Sequence, residues 1–232
     1  MLPLLKVTDS ILFTGWVIGL FLLTLLIVML VKRARRRERL RVAALGEVAT
    51  GLGLEFWEKD DEGLCARISR FKVGNVGHSK IVKDVISGVF GGEEVLFCNY
   101  RYVVGHGKNQ HASRQSLMFL TLKRSLPDLV MAPEGFFSKV GQVFGAADID
   151  LLTHPEFSKR YVLKGDEEET IRELFTFDLL EYFEKRLGLT LEVFQDELVF
   201  YRSNKRSAPE DLESFLTEGI EVKSALEGKV AS

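Results

Sequence analysis

The sequence predicts an α+β chain. One N-terminal transmembrane helix is followed by a cytoplasmic domain with a mainly antiparallel sheet and packed helices. Three observations carry this. Residues 11–31 form an uncharged apolar run. Residues 93–104 and 114–123 are two long β-favouring runs joined by a polar loop. Helical and strand patterns then fall in separate stretches rather than alternating, which separates α+β from α/β.

The membrane segment comes first in the chain. Ile11 to Val31 has 21 residues and no charge. At about 1.5 Å per residue such a helix covers roughly 30 Å, the thickness of a bilayer's hydrocarbon core. Seven basic residues follow within ten positions: Lys32, Arg33, Arg35, Arg36, Arg37, Arg39 and Arg41. The positive-inside rule places that collar in the cytoplasm and the short N-terminus, residues 1–10, outside. A cleaved signal peptide would carry its basic residues before a shorter apolar core, the reverse of this order. The collar also suits contact with anionic lipid headgroups, where each Lys or Arg near the surface contributes about 1 kcal/mol. No later run is long enough and apolar enough for a second span.

Composition bounds the rest. The chain is 46% apolar and 28% charged, which excludes a disordered polymer. Two cysteines exclude a disulfide framework. Residues 1–41 hold 8 basic and 2 acidic residues; of the 31 and 33 in the whole chain, 23 and 31 therefore lie beyond them, a net charge of −8. An acidic domain is a poor nucleic-acid platform, so no nucleic-acid partner is expected.

Residues 32–50 are expected to continue the helix as a basic juxtamembrane segment ended by Gly51 and Gly53. The cytoplasmic domain then occupies 51–232. GLEFWE (53–58) and LCARISRF (64–71) read as strands around a turn ending at Gly63, and KIVKDVISGVF (80–90) as a third. EEVLFCNYRYVV (93–104) and RQSLMFLTLK (114–123) flank a nine-residue loop, GHGKNQHAS. Both faces of residues 93–104 carry apolar side chains, which predicts a central strand covered on two sides. DLVMAP (128–133) adds a strand, and a helix is expected from Pro133 to Phe144. His154-Pro155 reads as a turn, and RYVLKG (160–165) as a strand. Asp166 and Glu169 form a capping-box pattern before EEETIRELF. Phe177–Leu187 is helical, TLEVFQ and ELVFYR form a tight hairpin at Gln195-Asp196, and Ser207 with Glu210 caps a last helix.

Chemistry-bearing residues are sparse. Gly107-Lys108 lacks the P-loop hydroxyl, since Asn109 follows, and the upstream Gly, since Tyr102 stands there. The loop's His106, Lys108 and His111 remain a candidate ligand loop. Asp148, Asp150, His154 and Glu156 are the densest set of potential metal ligands, with Asp148, Asp150 and His154 the weak metal candidates, yet their spacing matches no calcium loop. Cys65 and Cys98 lie in predicted strands and read as structural thiols. No catalytic residue and no cofactor is predicted.

The segments LFCNYRYVVGHGKNQ, MAPEGFFSKVGQVFGAADIDLLTHPEFSKRYVLKG, IRELF and PEDLESFL resemble a group of uncharacterised bacterial membrane-anchored proteins with a cytoplasmic domain of unknown function. The resemblance runs over roughly residues 50–220. Its most specific parts are Asn99-Tyr100-Arg101-Tyr102, where the group tends to have Asp at the first position, and Pro155-Glu156-Phe157-Ser158. It implies a bacterial inner membrane and supplies no activity. The expectation is a single-pass, non-enzymatic protein whose domain binds a protein partner, as an accessory subunit of a membrane complex. The alternatives are a metal-dependent hydrolase or transferase, or a ligand or lipid sensor.

Overall fold

The computed structural model describes residues 3–59, 63–136, 148–149, 151 and 154–228, with side chains from residue 16 onward. The chain divides into two compact units, residues 1–44 and 45–232.

Helix α1 runs Pro3–Gly51, longer than the apolar run alone. Its side chains from Trp16 to Val31 are all exposed, so this helix is long and apolar enough to cross a membrane and none of that stretch is buried. The helix ends at Gly51, and Gly53 takes φ +75° in the turn that follows.

The second unit is built on one eight-stranded antiparallel sheet with the order β1-β2-β3-β4-β8-β7-β5-β6. The strands are β1 Glu55–Lys59, β2 His78–Phe90, β3 Glu93–Val104, β4 His111–Thr121, β5 Leu129–Pro133, β6 Tyr161–Gly165, β7 Thr190–Phe194 and β8 Glu197–Tyr201. Gly91 and Gly92, with φ +60° and +80°, make the two-residue β2–β3 turn, where positive φ at both positions matches strand twist. Gln195 at φ +58° opens the expected β7–β8 turn. The remaining helices are α2 Gly63–Ile68, the single turn α3 Lys72–Asn75, α4 Pro155–Arg160, α5 Glu168–Leu174, α6 Phe177–Glu184 and α7 Leu212–Leu226.

The side-chain alternation of the central strands decides the layering. Val95, Phe97, Met118, Leu120, Leu198 and Phe200 join one core with Leu45 and Ala49 of α1 and the apolar stripe of α7. Cys98, Tyr100, Tyr102, Leu117, Phe119, Val199 and Tyr201 join a second core with Leu64, Ile68 and Phe71. β3 is thus central and covered on both faces, as its double apolar pattern requires. Gly219 brings α7 close to the sheet: a Cβ there would run into the Met118 sulfur and lie 3.3 Å from Phe200 Cδ1.

Several local expectations fail. Residues 64–71 are not a strand: Leu64 and Ile68 recur at i and i+4 on α2, and with Phe71, just beyond the helix, they cover the second core. The 105–113 loop is shorter than nine residues, because β4 begins at His111 and pairs it with Val104. His154-Pro155 is the start of α4, with Pro at its first turn, where a missing N–H costs nothing. The capping boxes do not form. Helix α5 starts after Glu167 with no side-chain cap. Ser207 Oγ donates to Ala208 O (3.4 Å) rather than accepting from a helix N–H, its N–H donates to Ser116 Oγ (2.9 Å), and a 3-10 turn at Pro209–Asp211 leads into α7. The helix expected over 133–144 lies mostly outside the described residues.

Candidate functional site

Strand β7 alternates Leu191 and Val193, in the first core, with Thr190 and Glu192 on the other face. Glu192 is therefore carried into the interior, at 1% exposure. Its Oε2 accepts from Lys72 N (2.5 Å), and its Oε1 accepts from Val73 N (3.0 Å) and from the Tyr201 hydroxyl (2.8 Å). The backbone of α3 and a neighbouring strand thus clamp one carboxyl. Burial pushes that carboxyl from 4.5 up to about 7, and the three donors oppose a larger rise. Burial first, and then the Glu192 charge, raise the Tyr201 phenol well above its usual 10. Tyr100 and Tyr102 extend the cluster, with ring centroids 5.5 Å apart, and burial raises both phenols. The Tyr100 hydroxyl is buried with no hydrogen-bond partner among the described residues.

A cavity of about 310 Å³ adjoins this cluster, with Glu192 in its wall. Its lining includes Arg70, Lys72, Lys164, Asp128 and Asp166 together with Phe71 and Phe194. The volume sits at the small end of ligand sites, roughly 300–1,000 Å³. Most of its charges are already engaged. Arg70 pairs with Glu197 (2.8 Å) and lies over the Phe194 ring, Asp128 accepts from Gln195 N (2.9 Å), and Lys164 pairs with Asp148 (2.7 Å). Chemically this is a mixed-charge cleft beside a carboxyl that burial holds above the usual carboxylate range.

The residues singled out from the sequence scatter. Lys32, Arg33, Arg35, Arg36, Arg37 and Arg39 are exposed on α1, and Arg41 pairs with Glu38 (3.2 Å). His106 is drawn to His78, not to His111: the two rings stack 5.6 Å apart at 10°. His78 is itself fixed by contacts to Ser79 Oγ (3.0 Å) and Gly105 O (3.1 Å). Lys108 is exposed in the loop's 3-10 turn. Asp148 is engaged by Lys164, Asp150 lies outside the described residues, and the His154 ring packs edge-on against Phe177 at 5.0 Å. Among the described residues no group of three His, Cys, Asp or Glu side chains is placed to hold a metal ion. Cys98 is buried in β3 as expected, whereas Cys65 is half-buried on α2, not in a strand.

Two interior networks escaped sequence reasoning. One is the Glu192 clamp. Its only sequence signal is a lone acid between Leu191 and Val193 in a strand of the sheet interior. The other explains Asn99. Asp84, at φ +51° where the β2–β3 register shifts, turns its carboxylate inward. Asn99 Nδ2 donates to Asp84 Oδ2 (2.9 Å), and Asn99 Oδ1 accepts from Ser116 Oγ (2.7 Å). The Asn99–Tyr102 segment therefore serves both faces of the sheet. In Pro155–Ser158, Phe157 is buried and its N–H donates to Glu184 Oε1 (3.1 Å).

No protein-family profile matches the chain, and no curated protein matches it. Among solved structures it is similar to the mycobacterial trehalose monomycolate transport factor A, TtfA, at 13% identity and a TM-score of 0.58, over 80% of this chain and 93% of that one. At that identity the likeness is one of fold: this chain shares its α+β architecture with a bacterial transport factor.

Proposed function

We propose that this is a single-pass bacterial inner-membrane protein, with its N-terminus outside and its α+β domain in the cytoplasm, that serves as a non-enzymatic accessory subunit of a membrane complex by binding a protein partner. One observation carries the reading: an apolar run exposed along its whole described length adjoins a domain with the fold of a transport factor. A soluble protein would bury such a run, because exposing it to water is costly. The collar from Lys32 to Arg41 fits the cytoplasmic headgroup layer. Lipid is thus one partner through α1, and a protein is the other.

The test is purification of the full chain from native membranes in mild detergent, with mass spectrometry of what accompanies it. The expected result is one membrane protein in stoichiometric amount. A chain that stays solitary, even after gentle cross-linking before extraction, overturns the accessory role. A C-terminal fluorescent-protein fusion should glow, whereas an active periplasmic phosphatase fused there reverses the orientation. A second reading, a small-ligand sensor, draws on the cavity beside Glu192. It predicts a rise in melting temperature with ligand that Lys72→Ala abolishes.

A further inference from the structure

The sheet has two edges, and they differ. At the β6 edge a bridge between Asp148 and Lys164 adds further backbone pairing. At the other edge β1 pairs only with β2, so one side of its backbone meets no strand among the described residues. A groove of about 740 Å³ is lined by Glu47 and Thr50 of α1 with Glu55, Phe56 and Trp57, and every β1 residue but Phe56 is exposed. An open edge is a template for another strand.

The side chains of β1 indicate which strand. Phe56 packs on the core, so Glu55, Trp57 and Lys59 share the opposite face, with Trp57 45% exposed. This outward row is one acid, one aromatic and one base, symmetric in position and opposite in charge about Trp57. We infer that β1 pairs antiparallel with β1 of a second copy about a two-fold axis at Trp57. In that register Glu55 faces the partner's Lys59, Lys59 faces the partner's Glu55, and the two Trp57 rings meet between the ion pairs. Phe56 and Glu58 face each other on the inner side. Shifting the axis to Glu58 sets two carboxylates together, and shifting it to Phe56 leaves Lys59 unmatched. A parallel in-register arrangement opposes like charges at Glu55, Glu58 and Lys59. The charge pattern thus selects one register, and the self-complementarity is what a two-fold interface requires.

Five residues a side bury less than the roughly 1,200 Å² of a stable free dimer. Confinement of both copies to one membrane, oriented alike, raises their effective concentration and compensates. That concentration argument rests on the membrane reading above; the register does not.

The test uses full-length Trp57→Cys in native membranes under mild oxidation. Facing Cα atoms in an antiparallel pair lie about 4.5–5.5 Å apart, within disulfide reach. The expected product is a band of twice the chain mass, absent from the wild type with Cys65 and Cys98. Glu58→Cys should cross-link far less, since its counterpart lies two positions off register. Adding Glu55→Lys or Lys59→Glu to Trp57→Cys should cut the dimer about fivefold or more, because two attractive pairs become repulsive. The double exchange should restore it. No dimer band from membrane-associated Trp57→Cys, or charge exchanges without rescue, overturns the inference. So does a cross-link to a different protein, which would make this edge a hetero-partner's strand site. Fractionation of the same samples shows whether the chain is in the membrane, so failure of the anchor and failure of the dimer are told apart.

Discussion

Replacing Glu192 with Gln tests whether an interior carboxyl titrates near neutrality. The folded carboxyl sits at about 7 against an ordinary 4.5, chiefly through burial. Each pH unit between those values corresponds to about 1.4 kcal/mol, so ionising Glu192 inside the fold costs ~3 kcal/mol. The sign follows from the direction of the shift. Below pH 4.5 the group is protonated in folded and unfolded chains alike, and its full contribution to stability is present. From 4.5 to 7 the unfolded chain releases the proton while the folded chain keeps it, so stability declines. Above 7 the decline stops. A Gln cannot titrate. Its carbonyl can accept from Val73 N and the Tyr201 hydroxyl, but its amide then faces the Lys72 N–H, donor against donor, at a cost of about 1–3 kcal/mol. The variant should be less stable than wild type at pH 4.5 and should close most or all of that gap by pH 8. Urea unfolding of the full chain in detergent, followed by near-UV circular dichroism at several pH values, reads this directly. A wild-type-to-variant difference that stays constant between pH 4.5 and 8 would refute the elevated carboxyl.

Three further variants probe other parts of the chain. Gly219→Ala adds helix propensity yet drives a methyl into Met118 and Phe200, so α7 must lift and stability should fall by about 1–3 kcal/mol in the same unfolding assay. Asn99→Asp places a carboxylate against Asp84 and removes the donor that now bridges them; a loss of about 1–3 kcal/mol at pH 7 is expected. Neutralising Arg35, Arg36 and Arg37 as Gln should weaken binding of the domain with its collar but without the apolar run, residues 32–232, to phosphatidylserine vesicles by roughly 3 kcal/mol in total. Vesicle co-sedimentation checks this, and equal binding would leave the collar as a topology signal alone.

The central hairpin was legible because its evidence is local. Residues 93–104 alternate apolar side chains on both faces, and the structure makes them the buried β3. The turn at Gln195-Asp196 was legible for the same reason, with two β-favouring runs set two residues apart. Residues 64–71 were misread because eight residues with apolar groups at several spacings fit both periods; the sheet already filled by β2 and β3 leaves that segment to cover its face as α2. The failed caps show a related limit. Ser207 reads as a cap in isolation, but its N–H, which Glu210 would take in a capping box, donates to Ser116, 91 residues away in sequence, and its hydroxyl donates to Ala208 O.

What the sequence by itself determined is whatever depends on contiguous residues: the uncharged run of membrane length, the basic collar after it, the strand pairs joined by short turns, and the α+β class that follows from them. What only the tertiary structure decided is which distant groups share one dielectric environment. Lys72, Val73 and Tyr201 meet Glu192 because α3 and two strands converge on one face of the sheet. Asp84, Asn99 and Ser116 meet because three strands hold one register. Burial and hydrogen bonding set the energy of a polar group, and both are properties of the folded surroundings rather than of the residue's neighbours in the chain.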